Sequence, residues 1–387
     1  MDVSFFISKR IRFKGRISMV SIAISFFVMI IAVAVSSGFR QEIRAGLADI
    51  SGDVRIVPPS LSVLDQALPV EKNAAYRPYV EGVNGVDEIR PVVYKAGIVK
   101  HSDNIYGVLF KGVEQHDTLS LGVSIPKRLA ELSGLAPGDK MLTYFVGESV
   151  KARQFNVVSV YNALIETDDK LVVYADIADL QRVNGWEDGF VSCLEVMLDD
   201  DLRNEEDIEY INGEIGTLIN AYSADDEEYV IATSSVSSYP QLFDWLDLID
   251  FNVLFILVLM TIVAGFNMIS GLLIMLFENI SMIGLLKALG MTDRSISKVF
   301  LSSSAVLVLK GMLAGNLAAI LFCLVQGTTK ILSLNPENYF VSHVPVKLEL
   351  GLVLAADAVS FVMIMILLLI PCLFISKVDP ADTVRMK

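Results

Sequence analysis

Four long runs of apolar residues dominate the pattern of hydrophobic and polar positions along the chain. They cover residues 17–39, 249–277, 299–327 and 350–375. Each run is longer than the roughly 20 residues that cross about 30 Å of hydrocarbon, and none carries more than one charged side chain. The pattern therefore predicts an integral membrane protein with four transmembrane helices.

Basic residues beside these runs predict the orientation of the chain in the membrane. Lys and Arg are concentrated in residues 1–16, in the short segment 278–298 and in the tail 376–387. Loops rich in Lys and Arg stay in the cytoplasm. These three segments are therefore predicted to be cytoplasmic, and residues 40–248 and the loop 328–349 are predicted to lie outside.

A cleaved signal peptide is the alternative interpretation of the N-terminus. Ala32-Val33-Ala34 has the small-residue form of a cleavage site after a basic and apolar stretch. The apolar run is longer than an ordinary signal sequence and continues in a helical pattern through Phe39 and Ile43. Cleavage would leave three spans and an external N-terminus.

The external segment predicts an α+β domain. Runs rich in β-branched and aromatic residues predict strands at Val54–Val57, Ile105–Phe110, Phe155–Val160, Leu171–Tyr174 and Cys193–Leu198. Helices are predicted at about 126–133, 176–183 and 205–220, the last one capped by Asn204. Strands that alternate with helices suggest small βαβ-type units, arranged in one or two lobes.

The pattern predicts that both connections between this domain and the membrane are continuous helices. The first span runs on past Arg40, and Leu242, Trp245 and Ile249 lead into the second span without a helix breaker. Stalks of this kind can transmit displacement, although helices that merely protrude would show the same pattern.

Charge and cysteine content sharpen this description. Residues 41–248 contain 16 Lys and Arg against 36 Asp and Glu, a net charge of −20, whereas the rest of the chain carries +6. Such an acidic surface suits a basic partner or simply a soluble domain, and no feature indicates nucleic-acid binding.

Only Cys193 lies outside the spans, so the domain has no internal disulfide and Cys193 is expected to be a small buried side chain.

The short segment between the second and third spans predicts a helix rather than a plain loop. Ile280, Ile283 and Leu286 share one face, and Gly290 suits the left-handed residue that ends a helix. Thr292 can then cap the third span. The residues alone leave two roles open: a helix anchored in the membrane interface, or a knob that docks in a groove of a soluble partner.

The stretch ENISMIGLLKALGMTDRSISKVF, residues 278–300, resembles the coupling segment of ABC-transporter permeases of the macrolide-exporter (FtsX-like) superfamily. Residues 37–56, 161–185, 334–350 and 378–387 are similar to segments of its lipoprotein-releasing LolC/LolE branch. These matches follow the family order along the whole chain. The resemblance implies an integral membrane α-helical protein with four transmembrane helices, a large periplasmic α+β domain between the first two, and a cytoplasmic coupling helix.

The resemblance also implies partners. It implies a non-catalytic permease subunit in a bacterial inner membrane, served by two cytoplasmic ABC ATPase subunits and a second permease, which is either the same chain or a sister chain. The chain has no G-x-x-x-x-G-K-[ST] motif, so ATP and Mg belong to the ATPase and this chain needs no cofactor or metal. The coupling residues implied are Glu278, Met282, Ile283, Gly284, Leu286, Lys287, Ala288 and Gly290.

The implied substrate is a triacylated lipoprotein, released toward the outer membrane. Its acyl chains are expected to contact Phe26, Phe27, Met29, Ile30, Phe255, Met260 and Met268 of the first two spans, since flexible Met and aromatic side chains suit lipid tails. In relatives, a hairpin of the external domain recruits a periplasmic lipoprotein carrier. The matching stretch here contains Tyr144, Gly147, Lys151 and Arg153, but it is short, and an ordinary hairpin is the alternative.

Two charged residues lie deep inside the predicted spans. Lys310 in the third and Asp357 in the fourth fall at similar depths, which predicts an ion pair, unless Lys310 extends alone toward the interface. A secondary transporter with these residues as an ion relay is a rival function, and a permease that only transmits ATPase strokes to external enzymes is another. Glycines at 311 and 315 predict close helix packing nearby.

Overall fold

The structure is a computed structural model that describes residues 16–59, 68–101, 104–114, 121–146, 150–163, 171–225, 227–335, 339 and 341–377. The predicted cytoplasmic residues 1–15 and 378–387, and Gly147 of the predicted hairpin, lie outside the described residues. Internal contacts divide the chain into two compact units. One contains residues 1–39, 246–332 and 344–387, and the other contains residues 40–245 and 333–343.

The helices and strands are numbered here in chain order. They are α1 (Arg16–Ser51), β1 (Val54–Val57), β2 (Val70–Glu71), α2 (Arg77–Glu81), β3 (Val86–His101), β4 (Asn104–Val113), β5 (Gly122–Pro126), α3 (Lys127–Ser133), β6 (Lys140–Phe145), β7 (Lys151–Tyr161), β8 (Val172–Asp176), α4 (Ile177–Asn184), β9 (Phe190–Val191), β10 (Cys193–Leu198), α5 (Glu205–Tyr222), β11 (Ile231–Ser234), α6 (Ser235–Ser238), α7 (Pro240–Glu278), α8 (Ile280–Ala288), α9 (Asp293–Thr329), α10 (Leu350–Leu367) and α11 (Leu369–Cys372). Short 3₁₀ turns cover Asp200–Leu202 and Leu373–Lys377.

Four helical segments of the described chain are long and apolar enough to cross a membrane. They are Ile17–Ser51, Pro240–Glu278, Asp293–Thr329 and Leu350–Ile375. The prediction of four spanning helices is therefore confirmed. α7 has 39 residues and is about 58 Å long at 1.5 Å per residue, roughly twice the thickness of the hydrocarbon layer.

Glycines let two of these helices approach closely. A Cβ atom on Gly315 would lie 2.4 Å from the carbonyl oxygen of Ala23, and one on Gly311 would lie 2.7 Å from Ile22. Only a hydrogen fits at such positions, so α9 packs directly on the backbone of α1. The close packing predicted from the spacing of these glycines is confirmed.

The α+β unit is built on a nine-stranded sheet that closes partly on itself. The strand order is β11-β1-β10-β3-β4-β8-β5-β7-β6, and β3 also pairs with β6. This extra pairing closes β3, β4, β8, β5, β7 and β6 into a six-stranded barrel, with β10, β1 and β11 extending from the first half of β3. Three aromatic rings fill the barrel, Phe110, Phe145 and Phe155, with centroids 5.1 to 6.1 Å apart.

All five strands and three helices predicted in this segment are present. α5 begins as expected, because Asn204 accepts a hydrogen bond from the amide of Asp207 at 2.9 Å. Its buried face is formed by Ile208, Ile211, Ile215 and Ile219. Cys193 is fully buried beside Val92 and Tyr94, as expected for a small apolar side chain.

The expected βαβ units are wrong, and the longest strand was missed. Only β4–β8 and β5–β7 pair in parallel, whereas the other pairings of the two sheets are antiparallel among the described residues. β3 has 16 residues and its alternation is interrupted by charged positions and by Pro91, which hides it from a search for short apolar runs.

Candidate functional site

The segment between the second and third membrane helices folds as a separate short helix. α7 ends at Glu278, and α8 runs over Ile280–Ala288. Gly290 has φ of 87°, the amide of Met291 donates to the carbonyl of Leu286 at 3.0 Å, and the amide of Gly290 donates to that of Lys287 at 2.9 Å. This pair of bonds is the left-handed glycine termination that the sequence predicted. Thr292 then caps α9 by accepting from the amide of Ser295.

One face of α8 is buried in the helix bundle. Ile283 is 1% exposed and belongs to the same apolar cluster as Leu276, Ile296 and Phe300. Gly284 is buried with it, and Met282 and Leu286 pack against the same cluster. The buried Ile283 and Gly284 hold the helix to its neighbours, Met282 and Leu286 are half-buried, and contact of this segment with an ATPase stays a prediction.

The other face of α8 exposes apolar side chains that sequence reasoning did not select. Leu285 is 56% exposed and Leu289 is 76% exposed, and Ser281 and Ala288 lie on the same side of the helix. Glu278 and Gly290 are exposed at the two ends. The i, i+4 spacing of Leu285 and Leu289 was available in the sequence, but only the fold shows which stripe faces outward.

An ion pair crosses the turn between α8 and α9. Lys287 Nζ lies 2.9 Å from Asp293 Oδ1, and only 11% of the Lys287 side chain is exposed. The pair joins the last turn of α8 to the first turn of α9, where the cation and the carboxylate each complement the helix dipole. Lys287 therefore stiffens this joint.

The predicted lipid-contacting residues do not form one exposed surface. Phe26, Met29, Ile30 and Met268 are each 0% exposed and pack inside the bundle. Phe27 and Met260 are partly buried, and Phe255 is 63% exposed. Met and aromatic side chains occur both on lipid-facing and on inward-facing sides of a helix, so the sequence could not tell the two apart. Acyl-chain contact stays a prediction only for Phe27, Met260 and Phe255.

The predicted hairpin is formed by β6 and β7. Tyr144 pairs with Ala152, and Thr143 pairs with Arg153, whose side chain is exposed. Lys151 Nζ donates to the carbonyl of Val183 at 2.7 Å, which ties the loop end of the hairpin to the end of α4. The strands are confirmed, and recruitment of a carrier stays a prediction.

Within the α+β unit, the end of α1 is fixed to the sheet by a buried polar cluster. Lys111 Nζ donates to the carbonyls of Asp49 and Ile50 at 2.6 and 3.1 Å and contacts Glu195 Oε2 at 2.8 Å. The hydroxyl of Tyr94 lies 2.7 Å from the carbonyl of Ile50 and also contacts Glu195. Burial raises the pKa of Glu195, and the Lys111 cation opposes this shift. The cluster satisfies carbonyls that a helix end leaves unpaired.

The predicted pair of Lys310 and Asp357 is wrong. Asp357 is 6% exposed and accepts a hydrogen bond from the side-chain amide of Asn316. Lys310 is exposed, because it points away from the face of α9 that contains Gly311 and Gly315. The depth estimate was insufficient, since two residues at one depth form a pair only when their helical faces also meet.

The comparisons with known proteins agree with this architecture. Residues 254–380 match the family described as FtsX-like permease C-terminal. The chain is 24% identical over 415 residues to the lipoprotein-releasing system transmembrane protein LolC of Neisseria meningitidis serogroup B, covering 97% of this chain and 96% of that protein. It is 22% identical over 405 residues to the protein of the same description in Xylella fastidiosa strain 9a5c, covering 97% and 94%.

Two solved structures overlap with about half of the chain at low scores. The extracellular domain of the noncanonic ABC-type transporter YknZ from Gram-positive bacteria has a TM-score of 0.29 and 14% identity, covering 47% of this chain and 99% of that one. The periplasmic region of MacB from Actinobacillus actinomycetemcomitans has a TM-score of 0.31 and 10% identity, covering 50% and 95%. The resemblance found in the sequence is confirmed by the family match and by the LolC relatives: residues 254–380 match the FtsX-like permease family, and nearly the whole chain is similar to lipoprotein-releasing LolC proteins.

Proposed function

We propose that this chain is the membrane subunit through which a separate ATPase drives the release of triacylated lipoproteins from the outer leaflet of the inner membrane toward the outer membrane. The name of the LolC relatives states lipoprotein release for those proteins, and the alignment covers 97% of this chain. In this proposal both termini and α8 are cytoplasmic, the α+β domain is periplasmic, and ATP and Mg bind the partner. The chain itself catalyses no reaction.

The observation that carries the proposal is the two-sided character of α8. Its inner face is part of the same apolar cluster as α7 and α9, and its outer face presents Leu285 and Leu289 to the surroundings. Exposed apolar residues at i and i+4 are the anchors by which a helix docks in a groove of a partner protein. A force applied to this face would move the second and third spans with it, because Ile283 and the Lys287–Asp293 pair leave the joint little freedom.

Two further features support transmission beyond the membrane. α1 and α7 are continuous helices of 36 and 39 residues, as the sequence predicted for stalks. The last carbonyls of α1 are held by Lys111 and Tyr94, which lie on two adjacent strands of the barrel. A displacement of α1 along its axis would therefore be passed to the sheet rather than absorbed by a loose helix end.

The assembly requires further subunits. Two ATPases need two permeases, so a second permease, either this chain or a sister chain, completes the transporter. Removing the substrate from the membrane takes its acyl chains out of the lipid. This costs about 0.8 kcal/mol of free energy per methylene group, which explains the need for ATP. A periplasmic carrier that receives the lipoprotein is the remaining partner, with the β6–β7 hairpin as its contact.

The proposal is tested by ATP-dependent release of a lipoprotein. The chain is co-expressed with a candidate ABC ATPase from the same organism, the complex is reconstituted into lipid vesicles with a triacylated lipoprotein, and release is measured with and without ATP. We expect release only with ATP and only when the substrate is acylated. ATP hydrolysis without any release of acylated lipoprotein would contradict the proposal and would favour a permease that only transmits ATPase strokes.

A variant pair locates the coupling in the same assay. Leu285→Asp combined with Leu289→Asp places two charges on the exposed face of α8 without disturbing the buried face. Ile331→Asp is the matched control, because Ile331 is 70% exposed and lies beyond the other end of α9. We expect release to be lost in the double variant and kept in the control, with the same amount of each protein in the membrane.

A further inference from the structure

An apolar cleft opens on the α+β domain, on the sheet face opposite the barrel core. It has a volume of about 830 Å³, within the range of about 300–1,000 Å³ typical of small-molecule sites. Its floor is formed by β3, β4 and β6, with Ile98, Gly107 and Tyr144 side by side in paired register. Ile50 at the end of α1 and Tyr239 lie at its border.

The cleft differs from the rest of the domain in its charge. Residues 41–248 carry a net charge of −20, yet among the described residues no Asp or Glu lines the cleft, and Arg55 is the single charged one that does. Exposed apolar side chains accompany it, since Ile98 is 37% exposed and Val146 is 61% exposed. A soluble domain keeps such surface away from water unless something binds there.

Gly107 keeps the floor of the cleft open. A Cβ atom at Gly107 would have no heavy atom within 4 Å, and the residue does not have a positive φ that would demand glycine. Its partner across the strands is Ile98, so any side chain at Gly107 would project into the cleft beside Ile98. The absence of a side chain therefore creates space rather than allowing a turn.

The strands that form the floor of the cleft are already hydrogen-bonded on both sides, and this indicates which kind of molecule can bind there. β4 pairs with β3 on one side and β8 on the other, and this half of β3 pairs with β4 and β6. No strand edge is free here to receive a peptide, whose amides would be buried without partners. An alkyl chain has no such groups. Arg55, which donates to Ser238 Oγ at 3.0 Å, supplies a donor for an ester or amide carbonyl at the head of the chain.

We propose that this cleft receives an acyl chain of the lipoprotein substrate after the chain has left the membrane. The inference rests on the proposed function and deepens it, because it assigns to the α+β domain a binding site on the way from the membrane to a carrier. Tyr144 belongs both to the floor of the cleft and to the hairpin strand β6, which places the bound chain beside the predicted carrier contact.

The test uses the complete reconstituted transporter and a triacylated lipoprotein that carries a photoactivatable diazirine in its acyl chains. After ATP is added, the vesicles are irradiated and the cross-linked peptides are identified by mass spectrometry. We expect adducts on the β3 and β4 peptides that contain Ile98 and Gly107. Gly107→Phe should reduce these adducts by about tenfold, the effect of leaving about two methylene groups unburied.

Two controls keep the test decisive. Gly213→Phe is the matched variant, because Gly213 on α5 also has open space around its Cβ position but lies away from the cleft. Ile98→Lys is a second variant that places a charge in the cleft at a partly exposed position. Gly213→Phe should give the same yield of adducts on the β3 and β4 peptides as the wild type, and Ile98→Lys should give none.

Each remaining outcome decides against the cleft. Adducts in the membrane helices alone, cleft adducts that form with labelled phospholipid as readily as with the lipoprotein, or adducts on a second permease in place of the cleft peptides would each overturn the inference. ATP-dependent release that proceeds normally in Gly107→Phe without any cleft adduct would overturn the cleft and leave the proposed function intact. The proposed function fails separately, if the wild type releases no lipoprotein.

Discussion

Lys111 shows at the residue scale how a buried charge can be satisfied inside a folded domain. Its side chain is 4% exposed, and its three donors meet two carbonyls of α1 and the carboxylate of Glu195. Such a pair adds little net stability over an apolar replacement, but it fixes one arrangement of the groups around it. Here that arrangement is the attachment of α1 to the sheet.

Removing one partner of this pair should be costly. We expect Lys111→Met to destabilise the α+β domain by about 3–5 kcal/mol, because Glu195 is left buried without its cation. Lys111→Met combined with Glu195→Leu should recover most of this loss. Thermal unfolding of the full chain, followed by tryptophan fluorescence, measures both. An equal loss in the single and double variants would show that the charge pair is not the cause.

Burial raises the pKa of the Cys193 thiol well above its usual value, with the nearby Glu195 carboxylate as the second cause. The thiolate is the reactive form, and it forms only as the pH rises through the pKa. In a chain with Cys323 and Cys372 replaced by Ala, we expect Cys193 to stay unlabelled by iodoacetamide up to pH 9 and to react after unfolding. Labelling of the folded chain at pH 8 would contradict the burial.

Individual contacts were the least predictable feature of the sequence. Asn316 carries no charge and gives no signal in a hydropathy pattern, so its hydrogen bond with Asp357 could not be foreseen. The buried state of Phe26 and Met268, and the exposed state of Leu285, depend on how four helices rotate about their axes. That rotation is decided by packing between helices distant in sequence, which a single apolar run does not encode.

At the element scale, local signals were reliable where a few neighbouring residues decide the structure. The ends of α8, the cap of α5 at Asn204 and the glycine contacts of α9 were all readable from short motifs. β3 was not, because half of it pairs with β10 and half with β4 and β6, so its pattern changes along its length.

The joint between α8 and α9 is expected to depend on its ion pair. Asp293→Asn removes the partner of Lys287, and we expect ATP-dependent release to fall several-fold while ATPase subunits still co-purify. The exchange Lys287→Asp with Asp293→Lys should restore less than the wild type, because each charge then opposes the helix dipole. A fully active Asp293→Asn variant would show that the joint is held by the apolar face alone.

The contact of α9 with α1 should tolerate no side chain at Gly315. A Cβ there meets the Ala23 backbone at 2.4 Å, so Gly315→Leu must separate the two helices. We expect loss of the folded protein from the membrane fraction, or a lower melting temperature, whereas Gly351→Leu, whose Cβ has open space, should be tolerated. Equal stability of the two variants would contradict the close packing.

At the scale of the whole molecule, the segregation of apolar residues predicted four spans and a separate α+β domain, because the thickness of a bilayer leaves few alternatives. The closure of six strands into a barrel could not be predicted in this way, since it rests on one additional pairing between β3 and β6, at residues more than 40 positions apart. The proposed function was inferred from the order of short motifs along the chain, and the similarity to the LolC relatives supports it.

The central claim is that the exposed face of α8 points into the cytoplasm and takes up movement from a separate ATPase. The most direct measurement is site-specific cross-linking from position 289 in a cysteine-free background, with Leu289→Cys compared with Ile331→Cys in sealed inner-membrane vesicles. The account predicts an adduct with the ATPase from position 289 and none from position 331, and loss of ATP-dependent release once the adduct has formed. Labelling of position 289 by an impermeant reagent from the periplasmic side, or an adduct with the ATPase from position 331 instead, would contradict it.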